Sequence, residues 1–231
     1  LSSIIAIILV IFELRKRNFH LIRPKLRSSL KSLKVSLIYF LSDISATAFN
    51  AISTIIIGLV FSSVEVALFG VSIQIIGAIQ ALLGQLASGI YPNMVRQKSR
   101  KFIQQIFKKT LPYVFLFTIL IITFLPLVLQ ILAGNKYAAA NPIIQILSFT
   151  ILFSFCNTLL GWPTLGVINH QNKVTISTII STFFNLIALT LLLFLNKLTL
   201  YSVAITRVIT EIILFCIRFY YYRKYRQDFN P

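Results

Sequence analysis

Few residues in this chain could do chemistry, and two charged ones lie four positions apart in its last long apolar stretch. Arg207 and Glu211 have the spacing that places two side chains on the same face of a helix. A charge inside a membrane is costly, and such a pair partly neutralises itself. The pair could be a structural ion pair. Alternatively, Glu211 could orient Arg207 toward an anionic substrate, since a guanidinium can donate two parallel hydrogen bonds to a phosphate.

An earlier apolar stretch carries a polar stripe at helical spacing. Asp43 is followed by Thr47, Asn50 and Thr54, at offsets of 4, 7 and 11 residues. One helix would bring these side chains to a single face. Such a face either lines a water-filled cavity or bonds neighbouring helices, and interhelical polar contacts are common in membranes.

Two further stretches combine polar and small side chains. Small residues recur every three or four positions between residues 70 and 88, which favours close packing of two helices. Gln74 and Gln85 lie in the same stretch and could line a pathway, because an amide both donates and accepts hydrogen bonds. Asn185 shares a predicted helical face with Thr178 and Thr182. The predicted substrate pathway consists of Asp43, Thr47, Asn50, Gln74, Gln85, Asn185, Arg207 and Glu211.

The sequence contains no recognisable catalytic or metal-binding pattern. His20 and His170 have no partner at metal-ligand spacing, and the five acidic residues form no close pair. Cys156 and Cys216 lie in apolar runs, which is typical of buried, unreactive thiols. We therefore expect no catalytic residue, no bound metal, no cofactor and no enzymatic activity.

The overall composition indicates a membrane protein. Of the 231 residues 57% are hydrophobic and only 12% are charged, about half the charged share of a soluble domain. Abundant apolar residues argue against disorder. The balance of 22 basic against 5 acidic residues also does not indicate nucleic-acid binding, since such modules carry their cations on a soluble core.

Apolar runs of about 20 residues predict helices that cross the membrane, because a spanning backbone must satisfy its own hydrogen bonds. The runs are too long and too continuously apolar to be barrel strands. The fold class predicted is all-α, a polytopic transmembrane helical bundle. Its spans are the end of one helix at residues 1–12, then residues 35–61, 67–91, 111–133, 142–167, 174–195 and 200–222.

The sequence Gly161-Trp162-Pro163 interrupts the predicted span at residues 142–167 near its cytoplasmic end. Proline removes a backbone donor and clashes with the preceding turn, so a kink or a helix end is expected there. The break could act as a hinge or could simply terminate the helix.

The distribution of basic residues predicts the orientation. If residues 218–231 are counted with the loops at 13–34, 92–110 and 168–173, one side of the membrane carries 19 of the 22 Lys and Arg residues. The opposite loops carry only Lys136 and Lys197. By the positive-inside rule, the long loops and the C-terminus are cytoplasmic, with the cations beside anionic lipid headgroups.

Two short segments resemble a known family. Residues 57–69, IGLVFSSVEVALF, resemble the LG-x-F-S-S-x-E-x-V-G-x-Y segment of bacterial polysaccharide flippases, with Ala67 and Phe69 in place of the usual Gly and Tyr. Residues 89–96, GIYPNMVR, resemble the end of the next helix of that family. The similarity covers roughly residues 43–213. Ser53-Thr54 replace an Asp-Arg pair that some branches carry before the LG motif, which puts a role for charge at that point in doubt.

The resemblance is to O-antigen (Wzx-type) flippases of the multidrug/oligosaccharidyl-lipid/polysaccharide exporter superfamily. It implies the C-terminal six-helix lobe, residues 35–222, of a two-lobe transporter. Residues 1–12 would end a truncated helix, 13–34 would form a basic inter-lobe loop, and 223–231 a cytoplasmic tail. The implied partners are an undecaprenyl-diphosphate-linked oligosaccharide, membrane lipids and the missing N-terminal lobe. The implied location is the bacterial inner membrane.

Two other functions stay open from the sequence. A cation-coupled multidrug exporter of the same superfamily would need more acidic residues in its cavity than Asp43 and a paired Glu211. A non-transporting membrane subunit needs no pathway at all. A polymerase or acyltransferase is disfavoured, because the outer loops are only a few residues long.

Overall fold

A computed structural model of the chain describes Phe12, residues 26–133 and residues 139–230. The predicted span end at residues 1–11 and residues 13–25 of the predicted basic loop lie outside the described residues. The chain divides into two compact units, Leu1–Leu37 and Ile38–Pro231. Among the described residues the first unit contains the beginning of one long helix, and the second contains the remaining helices.

The described residues are almost entirely helical. Six long α-helices are described, and the fourth continues directly into a π-helix. Ser99 and Asn230 form an isolated backbone bridge. In chain order the elements are α1 (Leu26–Val60), α2 (Ser63–Gln97), α3 (Arg100–Ala133), α4 (Asn141–Leu160), the π-helix (Gly161–Gly166), α5 (Gln171–Phe194), α6 (Leu200–Lys224) and a short 3₁₀-helix (Arg226–Asp228).

Five helical segments are long and apolar enough to cross a membrane. They are Ser63–Gln97, Arg100–Leu125, Asn141–Gly166, Gln171–Phe194 and Leu200–Lys224. A shorter apolar segment, Ala51–Val60, ends α1. Helices of this length satisfy their own backbone hydrogen bonds in lipid. The predicted class, an all-α polytopic membrane bundle, is confirmed.

The predicted loop at residues 92–110 is mostly helical. α2 continues through Pro92 to Gln97, and α3 begins at Arg100, so only Lys98 and Ser99 connect them. Lys98 adopts a left-handed conformation (φ 47°), and its N–H donates to the Met94 carbonyl at 2.8 Å. The helical spacing of Phe102, Ile103, Ile106 and Phe107 predicts a short helix leading into the next span, and a helix is found there. The rest of the loop prediction was wrong in extent, because basic residues interrupt an apolar pattern without interrupting a helix.

α4 is the most buried span of the bundle. In its most apolar stretch 61% of the residues are buried, against 11–33% for the other spans. It packs against α2, α3 and α6, and Ile143, Ile144, Leu147 and Ile151 are almost fully buried. The outer helices instead leave large apolar side chains exposed, as lipid-facing helices do. The centrally placed α4 can therefore support a polar site from within.

The interruption at Gly161-Trp162-Pro163 does not end the helix. The chain continues as a π-helix, which is wide enough to accommodate the proline. Pro163 has no N–H to donate to the Leu159 carbonyl, its acceptor in an α-helix. The Thr164 hydroxyl donates to that carbonyl instead, at 2.6 Å. The Thr164 side chain thus adds a hydrogen bond at the carbonyl to which proline cannot donate.

We predict that Thr164→Val destabilises the protein by about 1 kcal/mol, because the buried Leu159 carbonyl loses this hydrogen bond. The measurement is the free energy of unfolding in detergent. Thr118→Val is the matched control, since Thr118 is also buried and donates to the Val114 carbonyl, four residues back, where the helical N–H already serves as donor. Equal, small effects of the two substitutions would contradict the role assigned to Thr164.

Candidate functional site

Helix α6 carries three charged residues on one face. Arg207, Glu211 and Arg218 are separated by 4 and 7 residues, the spacing that aligns side chains along a helix. Only 7% of Arg207 and 8% of Arg218 are exposed. Both arginines attract the Glu211 carboxylate. Two buried cations and one half-buried carboxylate therefore lie within one span.

Arg218 is held by hydrogen bonds from each nitrogen of its guanidinium. Nη1 donates to the Asn157 carbonyl at 2.6 Å, Nε to Ser177 Oγ at 3.2 Å, and Nη2 to Thr178 Oγ1 at 2.9 Å. A Cβ atom at Gly161 would approach Nη1 to 3.1 Å. The first residue of the π-helix therefore leaves room for the guanidinium, and Arg218 connects α4, α5 and α6.

The Glu211 carboxylate is fixed by a buried amide of α4. Asn157 Nδ2 donates to Glu211 Oε2 at 2.7 Å and to the Glu211 carbonyl at 3.0 Å. Asn157 Oδ1 accepts no hydrogen bond from the described residues. Asn157 thus binds Arg218 through its carbonyl and Glu211 through its side chain, and it holds the two charges in register.

These charges line a cavity of about 280 Å³ between the helices. Asp43 of α1 and Gln80 of α2 also reach it, so the lining contains two cations and two acids. The remaining lining is mostly hydroxyl-bearing. The lining residues are Asp43, Gln80, Ser154, Asn157, Thr158, Trp162, Thr178, Ser181, Thr182, Arg207, Thr210, Glu211, Leu214 and Arg218.

A second cavity, of about 530 Å³, adjoins the first. The two share Asp43, Thr158, Trp162 and Arg218. The second adds Tyr91 of α2 and the π-helical residues Gly161 and Pro163. The shared lining makes the two cavities one continuous cleft, which we call the charged cleft.

The structure brings together some of the predicted pathway residues. Asp43, Arg207 and Glu211 line the charged cleft. Asn185 is fully buried behind it, and its Nδ2 lies 3.3 Å from Oγ1 of the lining residue Thr210. Asn185 therefore supports the wall.

The other predicted pathway residues are not found in the cleft. Thr47 is exposed and does not line it, and the side chain of Asn50 lies outside the described residues. Gln74 and Gln85 are exposed on α2, on a part of the helix that does not face the cleft. Gln80, six residues after Gln74, is the α2 amide that reaches it, and its Nε2 donates to Thr150 Oγ1 at 2.9 Å.

The small-residue face of α2 has no partner helix within the described part of the chain. A Cβ atom built at Gly70, Gly77 or Gly84 would meet no described atom within 4 Å. The prediction that this face packs closely against another helix is therefore not met by the described residues. The spacing of small residues identifies a face of α2 that could pack against another helix. It does not show that such a helix is present.

Arg218 was misplaced by sequence reasoning. It directly precedes the aromatic run Phe219–Tyr222, so it was counted among the interfacial cations. Its burial removes it from that group and leaves 18 basic residues for the predicted cytoplasmic side. The signal was available, since Arg218 continues the helical face of Arg207 and Glu211. Asn157 was missed although a pattern was available, since Thr150, Ser154 and Asn157 recur at offsets of 4 and 3 residues.

The chemistry that the cleft supports is recognition of a polar, charged ligand. Its guanidinium groups can bind an anion, and its hydroxyls and amides can donate and accept hydrogen bonds. Within the described residues no three His, Cys, Asp or Glu side chains come together in a group that could hold a metal ion. No family model, curated protein or solved structure matches the chain.

We predict that Arg218→Gln destabilises the protein by about 2–3 kcal/mol. The shorter amide cannot replace three buried hydrogen bonds, and Glu211 loses a compensating charge. Thermal unfolding in detergent measures the effect. Arg226→Gln, at an exposed position near the end of the chain, is the control and should change little. A native-like unfolding temperature for Arg218→Gln would contradict the bridging role.

Proposed function

We propose that the chain forms one lobe of a membrane transporter that moves a lipid-linked oligosaccharide from one leaflet to the other. The observation that carries the proposal is the charged cleft within an otherwise apolar bundle. Ionisable residues inside spans are rare, and they typically mark a substrate or ion pathway. The resemblance of residues 57–69 and 89–96 to polysaccharide flippases supports the same class.

The chemistry of the cleft supports a phosphate-linked glycan as the substrate. A diphosphate needs cationic hydrogen-bond donors, and Arg207 and Arg218 are the two cations of the cleft. Sugars present many hydroxyls, which Gln80, Ser154 and Thr158 can match as donors and acceptors. Asp43 and Glu211 can accept hydrogen bonds from the same hydroxyls.

The size of the cleft supports a shared site. Its two cavities, of about 280 and 530 Å³, have the size that encloses a small, drug-sized ligand. An oligosaccharide would need more space, so we infer that the described helices supply one wall and that a second lobe supplies the other. Alternating access would then follow from rocking of one lobe against the other around the charged cleft.

The charge distribution supports an orientation of the bundle in the membrane, and with it a direction for the proposed transport. Lys98 connects α2 and α3, Arg223 and Lys224 end α6, and the Asn230 N–H donates to the Lys98 carbonyl at 2.9 Å. The basic ends of these helices therefore meet at the same end of the bundle. By the positive-inside rule we assign this end to the cytoplasm. We place the protein in the inner membrane of a bacterium, with outward movement of the glycan.

We predict that Arg207→Gln in the full-length gene product lowers surface glycan display by at least about tenfold, the effect of one lost charge-assisted contact. Lipid-linked intermediate should accumulate in the cytoplasmic leaflet. Arg207→Lys should restore display only in part, because lysine keeps the charge and loses the planar fork. Glycan immunoblotting and leaflet-specific labelling of the intermediate measure both effects.

Arg96→Gln is the matched control, since Arg96 is exposed on α2 and does not line the cleft. Protein abundance in the membrane must be equal for all variants. Normal display with Arg207→Gln would contradict the substrate role of Arg207. Loss of resistance to cationic drugs, with glycan display intact, would instead identify a multidrug exporter.

A further inference from the structure

A separate cavity, of about 600 Å³, opens between α3, α4 and α6. It shares no lining residue with the central cavity of the charged cleft. Some of the side chains that line it are basic and others are apolar. We call it the basic groove, and the residues that define it are Arg100, Lys108, Arg223, Phe107, Leu111 and Phe219.

The charged part of the basic groove carries three cations and no acid. Arg100 and Lys108 come from α3, and Arg223 comes from the last turn of α6. Arg100 Nε is buried and has no hydrogen-bond partner among the described residues. The guanidinium of Arg223 lies 5.8 Å from the centre of the Phe219 ring. Lys108 and Arg223 are exposed and Arg100 is half-buried, so the three positive charges are accessible to an anionic ligand.

The cations lie where a lipid headgroup would be found. Arg100 is the first residue of α3, and its N–H donates to the Asn230 carbonyl at 3.3 Å, close to the end of α6. Lys108 lies two helical turns further along α3. Side chains on a helix lean toward its N-terminus, so Lys108 is directed back toward Arg100. Long cationic side chains near span ends extend toward the interface in this way.

The rest of the basic groove is apolar. Phe107 and Leu111 follow one another by one turn on α3, and Phe215 and Phe219 do the same on α6. Cys156 and Leu160 of α4 complete the lining. A ligand that fills the whole groove therefore needs an anionic part and a hydrocarbon part.

We propose that the basic groove binds an anionic phospholipid, with its phosphate between Arg100, Lys108 and Arg223 and one acyl chain along Phe107, Leu111 and Phe219. Basic pockets between transmembrane helices bind such headgroups by charge complementarity. The proposal does not depend on the transported substrate, since the groove lies apart from the central cavity.

The test is native mass spectrometry of the full-length gene product, titrated with phosphatidylglycerol or phosphatidylcholine of the same acyl chains. Both lipids carry the phosphate, but choline cancels its charge. The variant R100Q/K108Q/R223Q should lower the bound fraction of phosphatidylglycerol by at least about tenfold. The control K101Q/K109Q/K224Q removes the same charge from exposed neighbours and should retain binding. R100K/R223K, which keeps the charge, should also retain it.

Equal binding of the two lipids by the native protein would overturn the proposal, as would equal losses in the test and control variants. A third titration with inorganic phosphate separates headgroup from whole lipid. Phosphate that competes only at concentrations far above those of phosphatidylglycerol supports a site for the intact lipid. Phosphate that displaces the lipid at equal concentration would overturn the assignment of the apolar wall. Circular dichroism of each variant checks that the helices are retained.

Discussion

The buried guanidinium of Arg218 is the constraint on which the centre of this structure depends. A cation withdrawn from water must be hydrogen-bonded and compensated, or the fold cannot keep it. α4 supplies a backbone carbonyl, α5 supplies two hydroxyls, and Glu211 supplies the opposite charge. These requirements join three helices at one point. They also account for Gly161, where a side chain would approach the guanidinium.

Helix α6 presents two faces that differ in chemistry. One carries Arg207, Glu211 and Arg218 into the charged cleft, where acids and cations are balanced. The adjacent face carries Phe215, Phe219 and Arg223 into the basic groove, whose charged lining residues are all cations. A ligand of the cleft would have to match both signs of charge and many hydrogen bonds. A ligand of the groove would have to combine an anionic part with an apolar part. Under our two proposals, the two sites would bind different molecules.

The class of fold could be predicted from the sequence, because a membrane allows few solutions to backbone hydrogen bonding and apolar runs of this length have one common outcome. The helix boundaries within residues 92–110 could not be predicted, because basic residues end an apolar run in the sequence without ending the helix. The outcome at Pro163 also depended on tertiary context. The groups that contact the helix at this point include the Thr164 hydroxyl and Arg218, which lies 55 positions after Pro163 along the chain.

The candidate site was partly accessible from the sequence. Charged residues in an apolar span, such as Arg207 and Glu211, can be recognised as candidate site residues in the sequence, because burying a charge costs free energy. Uncharged polar residues such as Gln74, Gln80 and Gln85 do not, since the rotation of α2 against its neighbours decides which amide points inward. Arg218 was hidden by the aromatic residues that follow it. The periodicity along α6 places Arg218 on the same face as Arg207 and Glu211. The position of Arg218 near the end of the helix nevertheless suggested an interfacial residue.

The central claim is that Arg207 serves a ligand rather than the fold. The most direct measurement is glycan display by the full-length gene product with Arg207→Gln. In this variant Glu211 keeps Asn157 and Arg218 as its partners, so membrane abundance should stay normal. The account predicts that display is lost while abundance is kept. Full display by this variant would contradict it and would leave Arg207 a purely structural role.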